Sequence, residues 1–314
     1  MAKKLTRMAI AYDFDGTLAP GNMQEHSFIP NLGTTKEEFW KEVKAYAKDQ
    51  DMDEILAYMR LMLHKASYAQ VSVTKDSFRK HGRRIQFFPV INDWFARINA
   101  YGRAHEIRIE HYIISSGLRE MIEGTSIYKE FDYVFASGFA YDSNDVAIWP
   151  ALAVNYTNKT QHLFRINRGI KNAYDNATIN TVQAEDECYI PLQRMIYIGD
   201  GETDVPCMSL LRNQGGTAIA VYNPQKRKTK QIAQDLIDNG RADFSMAADY
   251  SDGLLLDQTV KAVIDRTAAE VRLQNIKRGR SPRKTASPAD ERTGVEEAEI
   301  TLPAKSPVHN PRSN

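Results

Sequence analysis

The feature that most constrains this 314-residue chain is a pair of aspartates that directly follows a short apolar run. Residues 8–12 read Met-Ala-Ile-Ala-Tyr, a pattern typical of a buried β-strand, and residues 13–18 read Asp-Phe-Asp-Gly-Thr-Leu. Residues two apart in an extended segment point the same way, so Asp13 and Asp15 begin on one face of the strand end. Because two close carboxylates repel, the pair indicates a bound cation, a shared proton or a loop that separates their roles.

The next two residues also suit a ligand site. Gly16 permits a sharp turn out of the strand, and the Thr17 hydroxyl can hydrogen-bond a ligand oxygen or a neighbouring backbone group. An Asp-Gly pair alone is common in ordinary turns. The interpretation therefore depends on partners elsewhere in the chain.

A second apolar strand, within residues 195–204, also ends in carboxylates. Its sequence is Met-Ile-Tyr-Ile-Gly-Asp-Gly-Glu-Thr-Asp. If Thr203 opens a helix, Asp200 lies in the loop above it and Asp204 in its first turn, where the helix dipole favours carboxylates. Asp200 is then placed to reach a metal and Asp204 to orient the site. The alternative is that Asp204 is a plain carboxylate at a helix start.

A third apolar run ends in hydroxyl groups rather than acids. Residues 111–117 read His-Tyr-Ile-Ile-Ser-Ser-Gly. A hydroxyl at a strand end, beside the start of the next helix, can donate to an anionic oxygen. Taken alone, a Ser-Ser-Gly turn is equally consistent with a simple helix cap.

These segments together resemble the haloacid dehalogenase-like (HAD) superfamily. Residues 13–18 resemble its first motif, residues 111–117 its second and residues 195–204 its fourth. The resemblance implies that Asp13 is a nucleophile and magnesium ligand. It also implies that Asp15 is a general acid/base whose backbone carbonyl ligates the same ion.

The resemblance assigns further roles by position. Ser115 aligns best with the phosphate-gripping hydroxyl, Asp200 with a direct magnesium ligand and Asp204 with a residue that supports the metal site. The third motif is a single basic residue, for which Lys159 and Arg165 lie in the right interval. Lys159 follows an irregular stretch and precedes a helical pattern, so it is predicted to reach the site from a loop.

Two neighbouring arginines receive a different prediction. Arg165 and Arg168 are predicted to lie on the solvated face of the helix that follows Lys159. The alternative for Lys159 itself is an ordinary surface lysine.

Composition excludes several classes of protein. A net charge of +1 gives no argument for nucleic acid, and no run of about 18 apolar residues predicts a membrane span. The basic N-terminus lacks the apolar region of a signal peptide. Two cysteines build no disulfide framework and match no metal spacing. The expectation is a cytoplasmic enzyme with reduced thiols and no membrane partner.

Short apolar strands alternate with helical patterns, which predicts an α/β fold: a Rossmann-like, doubly wound parallel sheet. The three motifs follow strand ends, where open α/β sheets bind their ligands. The predicted strands are residues 8–13, 109–115, 132–136, 194–199 and 217–222, with a weaker one at 243–246.

The stretch between the first two motifs has a helical character. Residues 35–47 and 53–65 are amphipathic, and the first begins with Thr and early Glu, a capping pattern. These patterns predict a helical cap over residues 19–88, and the HAD resemblance implies the inserted C1 type. The amphipathic residues 91–101 then return the chain to the sheet.

The rest of the chain completes the predicted domain organisation. The core comprises residues 1–18 and 89–274, with a hairpin about residues 141–145 and a last helix over 257–274. Residues 275–314 have almost no large apolar side chains and are predicted to be a disordered, basic tail.

The combined interpretation is a magnesium-dependent phosphohydrolase that cleaves a small phosphorylated metabolite through an aspartyl-phosphate. It resembles the phosphoserine-phosphatase-like branch of the HAD family. A closing helical cap favours a small substrate, because a polymer would block closure. Asn22, Gln24 and His26 are the candidate specificity residues.

Other activities stay open at this stage. A phosphomutase uses the same residues, and a phosphoprotein phosphatase would act on a larger substrate. An HAD scaffold that binds a partner through its basic tail is an alternative of a different class. The acidic residue at position 15 argues against a dehalogenase. Substrate identity and oligomeric state do not follow from the sequence.

Overall fold

A seven-stranded sheet lies at the centre of the computed structural model, which describes residues 5–181 and 188–280. Its strands are β1 (Thr6–Tyr12), β2 (Ile107–Leu118), β3 (Tyr133–Tyr141), β4 (Ala147–Leu152), β5 (Met195–Gly199), β6 (Thr217–Tyr222) and β7 (Phe244–Ala247). The order across the sheet is β4-β3-β2-β1-β5-β6-β7. Only β4, at one edge, pairs antiparallel with its neighbour among these strands.

The predicted fold class is confirmed, and each predicted strand is present. β2 runs three residues past its predicted end at 115, and β3 continues to Tyr141 instead of ending at 136. The predicted hairpin about 141–145 is also confirmed, because it joins β3 to the edge strand β4. Both extensions come from partner strands, which a single segment of sequence does not reveal.

The central strand β1 separates two hydrophobic cores. Met8, Ile10 and Tyr12 are fully buried in one core, whereas Ala9 and Ala11 are fully buried in the other. Successive side chains of a strand point to opposite faces, so an uninterrupted apolar run indicates a strand covered on both sides.

Helices cover both faces of this sheet. α5 (Ile91–Ala104) and α10 (Leu255–Arg280) contribute buried side chains to the core of Met8, whereas α7 (Lys159–Arg168), α8 (Val205–Asn213) and α9 (Arg227–Asp238) contribute to the core of Ala9. Judged by the contacts between its residues, the chain divides into two units, with the boundary directly after Leu273. The last helix continues to Arg280, six residues beyond its predicted end, and residues 281–314 of the predicted tail lie outside the described residues.

Further helices lie between β1 and α5. These are α1 (Phe28–Asn31), α2 (Lys36–Asp49), α3 (Glu54–Ala69) and α4 (Lys75–Gly82); a short α6 (Arg119–Glu123) follows β2. Both amphipathic helices predicted here are confirmed. Thr35 and Glu38 form a reciprocal capping box at the start of α2, and Asp53 caps α3. The boundaries of a separate cap domain at residues 19 and 88 stay a prediction.

Within residues 5–181 and 188–280, every helix is too short or too polar to cross a lipid bilayer.

A hydrogen-bonded chain is buried where α5 packs on the sheet. The Trp94 indole donates to the Tyr12 hydroxyl (2.8 Å), which lies 3.0 Å from His111 Nδ1. Since indole N–H can only donate, the Tyr12 hydroxyl is free to donate its own proton to Nδ1. His111 Nε2 then donates to Asn99 Oδ1, 3.2 Å away, so the ring is held neutral. Burial lowers the pKa of His111 to about 3.

We expect this histidine to make the fold sensitive to mild acid. In the unfolded chain it gains a proton below about pH 6.5, whereas in the folded chain it stays neutral, so stability is lost as pH falls through this range. One pH unit below that value, His111 alone contributes a loss of about 1.4 kcal/mol. His111→Asn should remove that part of the pH dependence in urea titrations. His64→Asn, at an exposed position of α3, should keep the parent slope; equal slopes for all three proteins would contradict the assignment.

Candidate active site

The motif residues of three distant segments meet at one edge of the sheet. Asp13 directly follows β1, Ser115 lies within β2, and Asp200 directly follows β5. β1 lies between β2 and β5. The chain first adds β2, β3 and β4 on one side of β1 and then adds β5, β6 and β7 on its other side. Parallel strands bring their carboxyl ends together there, which leaves a crevice. Asp13, Asp15, Ser115 and Asp200 all line one cavity of about 410 Å³.

The acidic groups in this cavity form a tight cluster. Asp13, Asp200 and Asp204 each contribute one carboxylate oxygen, and these three oxygens lie within 4.8 Å of one another. Burial raises the pKa of Asp13 to about 6, an effect that the Lys159 ammonium opposes. Burial, followed by the charges of Asp204 and Asp13, raises the pKa of Asp200 well above its ordinary value. The protein thus leaves negative charge undercompensated at this point, and a cation would restore the balance.

The donor set fits magnesium. Carboxylate oxygens are the ligands that this hard cation prefers. Asp13 Oδ1 is buried and accepts no hydrogen bond of good geometry, although the Lys159 ammonium lies 3.1 Å away. Asp13 therefore has a carboxylate oxygen available to bind a cation.

Asp204 has a different role because its oxygens are already engaged. Its Oδ1 accepts from Lys159 Nζ and from the Tyr197 hydroxyl, each at 2.7 Å. Its Oδ2 accepts from the backbone N–H groups of Asp200 (3.0 Å) and Gly201 (3.4 Å). This fully buried carboxylate thereby holds the loop that carries Asp200.

The local structure around Asp204 differs from the expectation. Thr203 does not open an α-helix: residues Glu202–Asp204 form a short 3-10 turn, and α8 begins at Val205. Pro206 lies in the first turn of α8, where a missing N–H costs nothing and the fixed φ suits the helix.

Lys159 lies on a helix rather than in the predicted loop. It is the first residue of α7, fully buried, and its ammonium bridges Asp204 and Asp13. Burial alone would lower the pKa of Lys159, but Asp13 and Asp204 more than offset it, so the net pKa lies above the ordinary value. The surface-lysine alternative is thereby wrong.

The prediction for Arg165 is also wrong, because this side chain is only 2% exposed. Its guanidinium donates to the carbonyls of Asn172 and Asp175, each at 3.0 Å, and has further acceptors in the same loop. Arg165 therefore ties down the loop after α7. An arginine can be buried when backbone carbonyls take up its donors, and charge alone does not reveal this.

Asp15 and Asp13 experience different surroundings. Asp15 Oδ1 accepts a hydrogen bond from the backbone N–H of Met23 at 2.8 Å. The side chain keeps some exposure to the cavity, yet burial by the surrounding protein, with the Asp13 charge, raises the pKa of Asp15 well above its ordinary value. A carboxyl group with a raised pKa keeps its proton to a higher pH, which suits it to donate that proton.

The two hydroxyl residues are placed differently. Ser115 is buried and lines the cavity; its Oγ accepts from the Gly117 N–H (3.0 Å), which leaves its proton free to donate. Thr17 is fully buried, and its hydroxyl has no hydrogen-bond partner in the described part of the chain. The described lining of the cavity does not include Thr17, so its phosphate contact stays a prediction.

Position 16 requires a glycine for two reasons: its backbone conformation and the close approach of Asp200. Its φ of +78° is in the left-handed region. A Cβ atom there would lie 2.0 Å from Asp200 Oδ2. The two acidic loops therefore approach closely only because residue 16 has no side chain.

Of the predicted specificity residues, Asn22 and Gln24 line the cavity. His26 lies elsewhere, within hydrogen-bond distance of the Pro20 carbonyl (3.2 Å) and the Gln86 N–H (3.4 Å). Trp40 and Tyr58 also line the cavity but were not anticipated. Both residues lie on amphipathic helices, where the spacing of apolar residues is the same for a packed core as for a cavity wall. The one other sequence feature that could have indicated them is that both are large aromatic residues outside the motifs.

Comparison with known proteins agrees with this geometry. The model of the haloacid dehalogenase-like hydrolase family matches residues 10–209. An uncharacterized protein of Borreliella burgdorferi is 27% identical over 276 residues, which cover 79% of this chain and 93% of that protein.

A solved structure shows the same fold. A probable phosphoserine phosphatase from Vibrio cholerae superimposes with a TM-score of 0.51 at 15% identity, over 86% of this chain and 67% of that one. A HAD family hydrolase from Salmonella enterica serovar Typhi gives a TM-score of 0.47 at 20% identity, over 71% of this chain. This chain spans 66% of the Salmonella protein.

The buried ammonium should be tested by a double-mutant cycle. Lys159→Met leaves two buried carboxylates without their cation, so we expect the free energy of unfolding to fall by about 3–5 kcal/mol. Combining it with Asp204→Asn should cost less than the sum of the two single changes, because the uncompensated charge is removed. Urea denaturation measures all four proteins. Lys80→Met breaks an exposed pair with Asp76 and should leave the free energy of unfolding close to that of the parent, because solvent screens the pair; equal losses for Lys80→Met and Lys159→Met would refute the buried network.

Proposed function

Because the chain belongs to the haloacid dehalogenase-like hydrolase family, we propose that it is a magnesium-dependent phosphatase of a small phosphorylated metabolite. The observation that carries the proposal is the unequal treatment of two neighbouring carboxyl groups. Asp13 lies against the Lys159 ammonium, whereas Asp15 has a pKa raised well above its ordinary value by burial. Such a pair supplies a nucleophile and a proton donor at one pH.

The proposed first step is phosphoryl transfer to the protein. A carboxylate oxygen of Asp13 attacks phosphorus in line, and an Asp13–phosphate bond forms as the bond to the leaving oxygen breaks. Asp15 gives its proton to that leaving oxygen, so the product departs as a neutral alcohol. The Ser115 hydroxyl donates to a phosphoryl oxygen, and the Lys159 ammonium, which lies beside Asp13, stabilises negative charge at the site.

The proposed second step restores the protein. Asp15, now a carboxylate, takes a proton from a water molecule as the water oxygen attacks phosphorus. The bond between phosphorus and Asp13 breaks, and inorganic phosphate is released.

The proposed metal ligands are Asp13, Asp200 and the backbone carbonyl of Asp15. When bound, magnesium supplies positive charge that neutralises phosphoryl oxygens during transfer. Asp204 acts on this site through the loop amides that it holds, next to Asp200 and Gly201.

The proposed cap comprises residues 19–88. Trp40, Ile55 and Tyr58 from this segment line the same cavity as Asp13, Asp15 and Ser115 of the core. A cavity of about 410 Å³ suits a metabolite, because small-molecule sites range over about 300–1,000 Å³.

Replacing the nucleophile tests the first step. Asp13→Asn should lower the rate of phosphate release by at least about a thousandfold. The folded structure should persist, which circular dichroism checks. Asp76→Asn, an exposed change on α4, is the matched control. Retained turnover in Asp13→Asn would eliminate this residue as the nucleophile, and a trapped phosphoprotein in the parent but not in Asp13→Asn would support it.

Two different changes should damage the metal site in the same way. Asp200→Asn removes a ligand, and Gly16→Ala forces the Asp200 carboxylate aside. We expect both to raise the magnesium concentration for half-maximal activity about tenfold or more, the scale found when a metal's supporting groups are removed. Chelation of magnesium should abolish parental activity. Full activity of the parent in chelator would contradict the proposed cofactor.

A further inference from the structure

Part of the cavity lining is apolar and aromatic. It is formed by Trp40 of α2, Ile55 and Tyr58 of α3, and Phe88 just before α5. The Trp40 and Tyr58 rings meet edge to face, with centroids 5.9 Å apart and planes at 70°. We call these four residues the aromatic wall. Under the proposed function, this wall faces the alcohol part of the substrate, not its phosphate.

The polar atoms of this wall are already used within the protein. The Trp40 indole donates to Glu25 Oε1 at 2.8 Å, and the Tyr58 hydroxyl donates to the Ser116 carbonyl at 2.7 Å. The half-buried Trp40 therefore offers ring surface rather than a polar atom to a ligand, whereas Tyr58, only 3% exposed, supports the Trp40 ring edge to face. The same hydrogen bonds hold the rings in place before a ligand arrives.

The aromatic wall carries no charged group. Apart from the aspartates, the charged side chains among the described residues that line the cavity are Glu202, after β5, and Lys226, just before α9. An ammonium and a carboxylate on the leaving group would each need a partner once they are removed from water. The aromatic wall offers none.

Gln24 offers one polar atom that is unpaired among the described residues. The residue is 1% exposed and lines the cavity, and its Oε1 atom has no hydrogen-bond partner in the described part of the chain. A buried acceptor without a donor is destabilising, so a ligand N–H or O–H group would be favoured beside it.

From these observations we infer the substrate class: a phosphomonoester of an uncharged alcohol that carries a planar ring with a hydrogen-bond donor, as a nucleoside does. The ring packs on the aromatic wall, its donor group bonds to Gln24 Oε1, and the phosphate reaches Asp13. This inference rests on the proposed phosphatase function and adds the identity of the leaving group. Aromatic surfaces bind flat rings through stacking without a charge on either partner.

The test compares two substrate types with the full-length protein and magnesium. Uridine and inosine 5′-monophosphates carry rings, whereas O-phosphoserine and glycerol 3-phosphate, also phosphomonoesters of alcohols, do not. We expect kcat/KM to be at least about tenfold higher for the ring substrates. Trp40→Leu should lower the ratio of ring to ringless kcat/KM about tenfold, while Trp40→Phe keeps most of it. Trp149→Leu is the control, because Trp149 is 66% exposed on β4 and should leave both values unchanged.

A second measurement separates this inference from the phosphatase proposal. Ring ligands should quench the fluorescence of Trp40 in the Asp13→Asn variant, and Trp40→Phe in that background should lose the signal. Turnover that favours O-phosphoserine, or an equal loss on both substrate types in Trp40→Leu, would overturn the ring site. Failure to hydrolyse any of the four compounds, with Trp40 quenching retained, would instead overturn the phosphatase and keep the ring site.

Discussion

The buried contact of the Lys159 ammonium with Asp204 and Asp13 is the interaction on which the site depends. Three charged groups lie together where water is excluded, and such groups are stable only as a set. Asp204 in turn holds two backbone amides of the loop that carries Asp200. One ammonium thus links a helix start, a strand end and an acidic loop into a single arrangement.

The same arrangement explains why neighbouring carboxyl groups differ. Asp13 has an ammonium beside it, whereas Asp15 accepts a hydrogen bond from the backbone N–H of Met23. Both pKa values are raised by burial, but only that of Asp13 is strongly opposed by a cation. Division of nucleophile and acid between two aspartates follows from these surroundings, since the side chains themselves are identical.

Much of the fold and the centre of the site could be predicted because the signals are local. An apolar run that ends in Asp-x-Asp or Gly-Asp reports a buried strand with an acidic loop at its end, and each predicted strand is present. Helix starts at Thr35 and Asp53 were equally predictable, because capping depends on residues within one turn. Arg165 could not be placed in this way, since its acceptors belong to a loop that folds back on it.

By itself, the sequence determined the strands, the caps and the identity of the acidic groups at the strand ends, because these depend on neighbours within a few residues. Only the tertiary structure decided which partner each charge meets and which amphipathic helices face a cavity. Trp40 and Tyr58 show the difference: their spacing marks an apolar helix face, and a cavity wall and a packed core have the same spacing. Periodicity reports which side of a helix avoids water, whereas the packing of distant segments decides what lies opposite that side.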